Sequence, residues 1–243
     1  MSEQNQKKVP LSDRMKAAFD LVSTCECAAD IGCDHGYLPI ALCLSGKARR
    51  AIAMDINEGP LKRASENISG FDLTDRIETR LSDGLARLSE GEADTVIITG
   101  MGGKLIAKIL GDHIGLTQTV KQLILGPQSD IPYLRSYLYA HGFRIVNEKM
   151  VLDEGKYYQL IAAVPEISVD MLTKLSDEEL VCGPILLRQQ DPILLKWIKK
   201  EIKTRNDILL QLERTDSEQA SARKKELEKE QSIFRSALEY SLK

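Results

Sequence analysis

An alternation of short apolar runs with amphipathic stretches, repeated five times, limits what this chain can fold into more than any other feature. The runs are CAADIG, RAIAMDI (residues 50–56), RIETRL, ADTVIITG (93–100) and QLILGP (122–127). ADTVIITG is continuous and rich in β-branched residues, the pattern of a strand buried on both faces. Helix-like segments lie between the runs: PIALCL with Pro39 in its first turn, GPLKRASENI, GGKLIAKIL opened by glycines, and DIPYLRSYLYAHG closed by Gly142. Two further runs, FRIVNEKMVL and YYQLIAAV, are joined by DEGK, which is too short for a crossover helix, so they pair antiparallel. The expected architecture is α/β: a seven-stranded, doubly wound sheet, mainly parallel, that ends in a β-hairpin. A helix over residues 12–23 precedes it, with Ser12 as N-cap and Met15, Phe19 and Val22 on one face.

After Pro165 the pattern changes. Residues 166–191 read as an irregular connector, broken by CGP at 182–184, between a domain over 1–165 and a helical segment over 192–243. In that segment Leu195, Ile198, Ile202, Leu209 and Leu212 keep a three/four spacing interrupted by Arg205. Leu227, Phe234 and Leu238 continue it beyond the turn TDSE, which predicts an antiparallel helical hairpin of coiled-coil type. Residues 192–243 hold 12 Lys and Arg against 9 Asp and Glu, a net +3; the chain totals of 33 and 36 leave 21 against 27, a net −6, for residues 1–191. A basic hairpin suits contact with a nucleic-acid backbone as well as an ordinary solvated surface.

The N-terminal MSEQNQKKVPLSDR lacks the apolar core of a signal peptide, and no run approaches the roughly 20 apolar residues of a membrane helix. The expectation is a cytoplasmic protein with no membrane partner. Five cysteines, at 25, 27, 33, 43 and 182, are odd in number and loosely spaced, so no disulfide framework is expected. Cys25, Cys27, Cys33 and His35 do not keep the C-x2–4-C pairing of structural zinc sites, so no metal is expected.

DIGCDHGYLP, residues 30–39, opens the first helix of the sheet where a dinucleotide-binding loop would read G-x-G-x-x-G. Gly32 and Gly36 are present, but Asp34 holds the middle position. With Asp30 at the strand end, it would repel a pyrophosphate at short range and favour a cation. Asp55 ends the second run, where an acid accepts a ribose diol. Asp83 and Gly84 follow the third, an acid for an adenine amino group and room for the ring. Gly100 and Met101, in TGMGG after the fourth, suit a backbone pressed against a ligand and a soft neighbour for a sulfonium. Each acid alone is equally a turn residue or a helix cap; four at successive strand C-termini, where open α/β sheets bind ligands, point to one site. S-adenosylmethionine fits the set, since it carries an ammonium and a sulfonium and no phosphate. His35 lies in the same loop, near the methionine moiety, and His141 reads as a helix C-cap. Tyr157 and Tyr158 offer a stacking face, but strand alternation makes one of them core.

Five β-α units followed by a hairpin is also the element order of the class I methyltransferase sheet. LSDRM, DIGCDHGYLP, EGPLKRA, the DGL of SDGL, TGMGGKLIAKIL, LILGPQ and EGKYYQLIAA, spread over nearly the whole chain, resemble the bacterial tRNA (adenine-22-N1)-methyltransferase family. The resemblance implies a Rossmann-like class I methyltransferase domain, a C-terminal coiled-coil-like domain, S-adenosylmethionine as methyl donor and tRNA as substrate. Carried over residue by residue, it implies a cofactor site of Asp30, Gly32, Asp34, His35, Gly36 and Tyr37 in the first loop, with Asp55, Asp83, Gly100 and Met101 at later strand ends. The methyl-acceptor pocket would draw on Met101, Gly102, Pro127, Gln128 and Tyr157. Asp55 stands where the family pattern has Glu, and Gly126-Pro127-Gln128 where it has Gln-Pro-Asn; the Gln128 amide offers the same donor and acceptor one methylene further out.

Adenine N1 is a neutral lone-pair nucleophile at pH 7, so attack needs no prior proton removal and no catalytic base is assigned. Alignment alone can supply roughly 7–11 kcal/mol. N1 lies on the Watson–Crick edge, so the target must be unpaired or extruded. The 192–243 hairpin, with Lys7, Lys8, Arg14 and Lys16, would hold the tRNA backbone. Three readings compete with this one. They are the same transfer to another RNA position, a protein or a small molecule; a noncatalytic tRNA-binding module; and a nicotinamide oxidoreductase, against which Asp34 argues.

Overall fold

The first apolar run forms β1 (Cys25–Ile31), which pairs in parallel with β2 (Ala48–Asp55) on one side and β4 (Thr95–Thr99) on the other. The computed structural model describes residues 8–166, 174–213 and 217–240. These divide into two units, residues 1–172 and 173–243.

In the first unit β3 (Ile77–Leu81) and β5 (Gln122–Gly126) extend the parallel ladder outward. β6 (Phe143–Asp153) and β7 (Lys156–Pro165) close it, giving the order β3-β2-β1-β4-β5-β7-β6. β7 runs antiparallel to both β5 and β6, as the short DEGK turn requires. That turn is a two-residue hairpin in which Glu154 (φ 48°) and Gly155 (φ 79°) are both left-handed, the twist that matches paired strands.

α1 (Asp13–Leu21), α2 (Tyr37–Leu44) and α3 (Glu58–Gly70) share one hydrophobic cluster with Ile97, Ile124, Leu160 and Ala162 of the sheet. Strand alternation turns Val96, Ile98, Leu125 and Ile161 to the opposite face, where α4 (Gly103–Asp112), the short α5 (Ile114–Thr117) and α6 (Ile131–Ala140) follow. Each of these fully buried aliphatic side chains stabilises the fold by about 1.5–3 kcal/mol. Ser12 caps α1 as expected, its Oγ accepting from Met15 N at 3.3 Å. The helix buries Ala17, Ala18 and Leu21, while Met15 and Phe19 are only partly covered. Lys47 holds its far end, donating to the carbonyls of Phe19 (2.8 Å) and Val22 (2.9 Å).

On the α6 face a charged pair is enclosed. Arg135 is fully buried, and its Nη2 donates to Glu148 Oε1 at 2.7 Å and to Gln159 Oε1 at 2.6 Å. It ties α6 to both strands of the hairpin.

The second unit departs from the sequence expectation over 177–188. Two short helices, α7 (Asp177–Cys182) and α8 (Pro184–Arg188), stand where an irregular connector was expected. Ser176 and Glu179 form a reciprocal capping box, and Gly183 (φ 94°) separates the two helices. α9 (Pro192–Leu212) and α10 (Glu218–Tyr240) form the expected antiparallel pair, shown by the contacts Arg205–Glu230 and Trp197–Phe234. The first two residues of the turn TDSE fall outside the described residues. Arg205 does not break the seam: its guanidinium lies 4.5 Å over the Phe234 ring and pairs with Glu201 and Glu230. Asn206 and Gln231 add a hydrogen bond beside it, so the middle of this seam is polar.

Candidate functional site

The five parallel strands end at one edge. The chain leaves β1 for α2 on one face and β4 for α4 on the other, and this divergence opens a crevice between the two strand ends. A cleft of about 630 Å³ occupies it. From the first loop it takes Asp30, Gly32, Asp34, His35, Gly36 and Tyr37. From the ends of β2 and β3 it takes Asp55, Asp83 and Gly84, and from those of β4 and β5, Gly100, Met101 and Gln128. Gly102, Pro127 and Tyr157 lie outside its lining: Gly102 is the N-cap of α4, Pro127 follows β5, and Tyr157 sits in β7.

The loop is built so that backbone can approach backbone. Gly32 N and Cys33 N both donate to Met54 O, at 2.8 and 2.9 Å, sealing the turn against β2. Gly32 has φ 78°, and a β-carbon on it would collide with the Met101 methyl. Gly36 (φ 71°) is the N-cap of α2, and a β-carbon built on it would lie 3.3 Å from the Ala64 side chain of α3. The close approach that this glycine allows is therefore between helices rather than between helix and strand.

The acids differ in what they already hold. Asp55 is buried, and its Oδ1 accepts from Asn57 N at 2.7 Å and from Asn57 Nδ2 at 3.3 Å. Its Oδ2 has no hydrogen bond among the described residues, which leaves an oriented acceptor facing a cleft. Asp30 is buried as well. Burial pushes its carboxyl up to about 6; the thiol of Cys33 donates to it and pulls it back, and the nearby Asp55 charge raises it. Cys33 is a packed thiol whose ionisation burial and Asp30 push well upward. Asp34 sits at the exposed rim, where Oδ1 accepts from both Nε (3.1 Å) and Nη2 of Arg63 on α3, and His35 Nε2 lies 3.3 Å from Oδ2. The acid in the middle glycine position thus does meet a cation, one supplied by the chain itself. His35 stacks on Tyr37 at 5.5 Å. Asp83 is exposed beside Ser82, whose Oγ donates to Gly84 O and accepts from Arg87 N.

The β4 and β5 ends are laced together. Gly100 N donates to Gly126 O (3.0 Å), Gln128 N to Met101 O (2.9 Å) and Gly103 N to Ser129 O (2.8 Å). A β-carbon on Gly103 would lie 2.5 Å from Asp130 O, so this glycine sets the approach of α4. His141 is the C-cap of α6, its Nδ1 2.8 Å from Tyr137 O.

Sequence reasoning missed several lining residues: Met15, Ile56, Asn57, Leu105 and Ile109. Ile56 and Leu105 are 59% and 48% exposed, large apolar side chains turned to solvent beside polar groups, as an aromatic base requires. An isoleucine directly after a strand-end acid was the available signal. Arg14 also lines the cleft, apart from the tRNA-backbone role expected of it. Lys8 is exposed, Lys16 is exposed and paired with Asp13, and Lys7 lies outside the described residues.

A sheet of this order with an acid-lined, phosphate-averse crevice at the β1/β4 divergence defines a class I, Rossmann-like methyltransferase that uses S-adenosylmethionine. The family model for TrmK, tRNA (adenine(22)-N(1))-methyltransferase, matches residues 28–235. A tRNA (adenine(22)-N(1))-methyltransferase of Bacillus subtilis is 31% identical over 237 residues, spanning 96% of this chain and 99% of that protein. The crystal structure of the B. subtilis m1A22 tRNA methyltransferase TrmK superposes with a TM-score of 0.82 at 30% identity, covering 95% of this chain and 100% of that one. Sp1610 of Streptococcus pneumoniae, solved in complex with S-adenosyl-L-methionine, gives 0.83 at 30% identity over 94% of this chain and 100% of that one. The chain belongs to the tRNA (adenine(22)-N(1))-methyltransferase family.

Proposed function

We propose that the protein methylates N1 of adenine 22, in the D-arm region of tRNA, by direct in-line transfer from S-adenosylmethionine without a general base. Family membership carries the acceptor. The observation that carries the mechanism is the segregation of side chains within the cleft. Its acids sit on the first loop and at the β2 and β3 ends, whereas Thr99, Gly100, Met101 and Gln128 at the β4 and β5 ends have no titratable group. Asp130 lies close by, but it is engaged by Ser129 (2.8 Å) and Lys104 (3.4 Å).

The residues present fit the methyl donor. Asp55 Oδ2 is a ready acceptor for a ribose hydroxyl, and Ile56 and Leu105 offer apolar faces to a base. When bound, the donor supplies an electrophilic methyl group on a sulfonium. The chain's own task is then to hold both partners in line: Asp30 and Asp55 fix the donor side, and the Gln128 amide offers a donor and an acceptor to the target base. Transfer would form the N1–methyl bond as the sulfur–methyl bond breaks, so the positive charge passes from sulfur to the ring and no proton leaves the acceptor.

Exposed Lys196, Lys199, Lys200 and Lys203 recur along α9 at helical spacing, which supports backbone contact with tRNA from the hairpin. We place the protein in the cytoplasm with its substrate; no described helix is long and apolar enough to cross a membrane. The test is transfer of labelled methyl from S-adenosylmethionine to unmodified tRNA transcripts. Digestion must yield 1-methyladenosine, and label in any other nucleoside, or in protein, contradicts the assignment.

A further inference from the structure

Lys104 stands in the first turn of α4, between Met101 and Leu105, both of which line the cleft. This is an unfavourable place for a cation, because the N-terminus of a helix is its positive end. The ammonium lies 3.4 Å from Asp130 Oδ1, and Ser129 Oγ donates to the other oxygen, Oδ2, at 2.8 Å. Asp130 is also out of its ordinary role. It is the N-cap residue of α6, where an aspartate normally accepts from the helix's own first amides, yet its side chain makes no such bond. Its backbone is left-handed (φ 52°, ψ 35°), a conformation uncommon outside glycine. Each residue thus gives up a local preference, and together they fasten the loop after β5 to the start of α4. Preferences broken together at the rim of a site are a sign of function.

The Lys104 side chain remains 69% exposed. It sets a positive charge at the mouth of the acceptor side of the cleft, whose lining at Thr99, Gly100, Met101 and Gln128 carries none. N1 is on the edge of adenine remote from the sugar. With N1 facing the donor methyl, the ribose and its two phosphodiesters therefore stay outside the cleft. We propose that Lys104 binds a phosphodiester flanking the target adenosine, with Asp130 holding its ammonium at the mouth; the proposal rests on the adenine-methylating reading above. An ammonium has three protons, so one serves Asp130 and the others are left for phosphate oxygens.

The test neutralises one linkage at a time. tRNA is joined from synthetic fragments with an uncharged methylphosphonate on the 5′ or the 3′ side of adenine 22, and filter binding is measured with S-adenosylhomocysteine present. Lys104→Gln should weaken binding of the unsubstituted tRNA about 3- to 10-fold and lower the salt slope by about one. Lys121→Gln, which removes the same charge just before β5 at the opposite edge of the sheet, should do neither. One of the two methylphosphonates should cost the wild-type protein a similar factor and cost Lys104→Gln nothing further. Lys104→Arg should restore that dependence, and Asp130→Asn should shrink it. Additive losses at both linkages, or equal effects of Lys104→Gln and Lys121→Gln, overturn the proposal. So does a Lys104→Gln protein that loses S-adenosylhomocysteine affinity instead, and an undiminished dependence in Asp130→Asn overturns the part given to Asp130. Failure of the wild-type protein to methylate the unsubstituted tRNA would sink the adenine-methylating reading itself.

Discussion

The Met101 methyl occupies the space where Gly32 would carry a β-carbon, so the end of β4 is pressed directly onto the first loop of the cleft. Gly32 also has φ 78°, a conformation that costs an L-residue roughly 1–2 kcal/mol. Gly32→Ala should therefore displace the loop and lower S-adenosylhomocysteine affinity by at least about tenfold, since 1.4 kcal/mol is already a factor of ten. Adding Met101→Ala removes the collision but not the backbone strain, so the double variant should recover only part of the affinity. Titration calorimetry of both proteins decides this, and full recovery would show that the backbone conformation at 32 is immaterial.

Asp34 and Asp55 should behave differently although both line the cleft. Asp55 is buried with Oδ2 unengaged, whereas Asp34 is exposed and held by Arg63. Asp55→Ala should weaken donor binding by about 10- to 100-fold, the loss expected for hydrogen bonds to a charged group. Asp34→Ala should cost less than about fivefold, because its pair is solvent-screened. The reverse ranking in an affinity series would return the cofactor contact to Asp34.

Asp30 gives a stability effect with a defined sign. Its carboxyl sits at about 6 in the folded protein against an ordinary 3.8, mainly through burial. The folded state thus holds this proton more tightly than the unfolded chain. The resulting stability is complete below pH 3.8 and is lost as pH rises to about 6. Relative to Asp30→Asn, which has no charge to bury, the ligand-free wild type should lose about 2–3 kcal/mol over that interval and no more above it. Urea midpoints of the two proteins measured from pH 4 to pH 7.5 test this. A gap that does not change with pH would contradict it.

Arg135 and Glu148 form a pair with both side chains fully enclosed. Arg135→Met leaves Glu148 buried without its guanidinium and should cost about 3–5 kcal/mol. Arg135→Met combined with Glu148→Met should be less destabilised than the single change, because no orphaned charge remains. Urea denaturation of the three proteins gives the comparison, and additive losses would refute the charge argument.

The sheet was readable because its strands are continuous apolar runs and its glycines mark the turns. The strand-end acids were readable because open α/β sheets bind ligands at that edge, and the structure gathers Asp30, Asp55 and Asp83 there. What local sequence did not reveal depends on partners far along the chain. Asp34 meets Arg63 across 29 positions, and Arg14 reaches the cleft only because α1 packs against the closing hairpin. The Arg205 interruption was visible but not its resolution, since Glu230 and Phe234 lie on the returning helix. α7 was a different kind of miss: Ser176 and Glu179 spell a capping box before an apolar pair, a signal present in the sequence itself.

The central claim is methylation of one adenine at N1. The most direct measurement compares wild-type tRNA transcript with one carrying guanine in place of adenine 22, each incubated with the full-length protein and labelled S-adenosylmethionine, then read by reverse transcription. The account predicts label and a new stop at position 22 in the first transcript and neither in the second. Equal labelling of both, or a stop at another position, would contradict it.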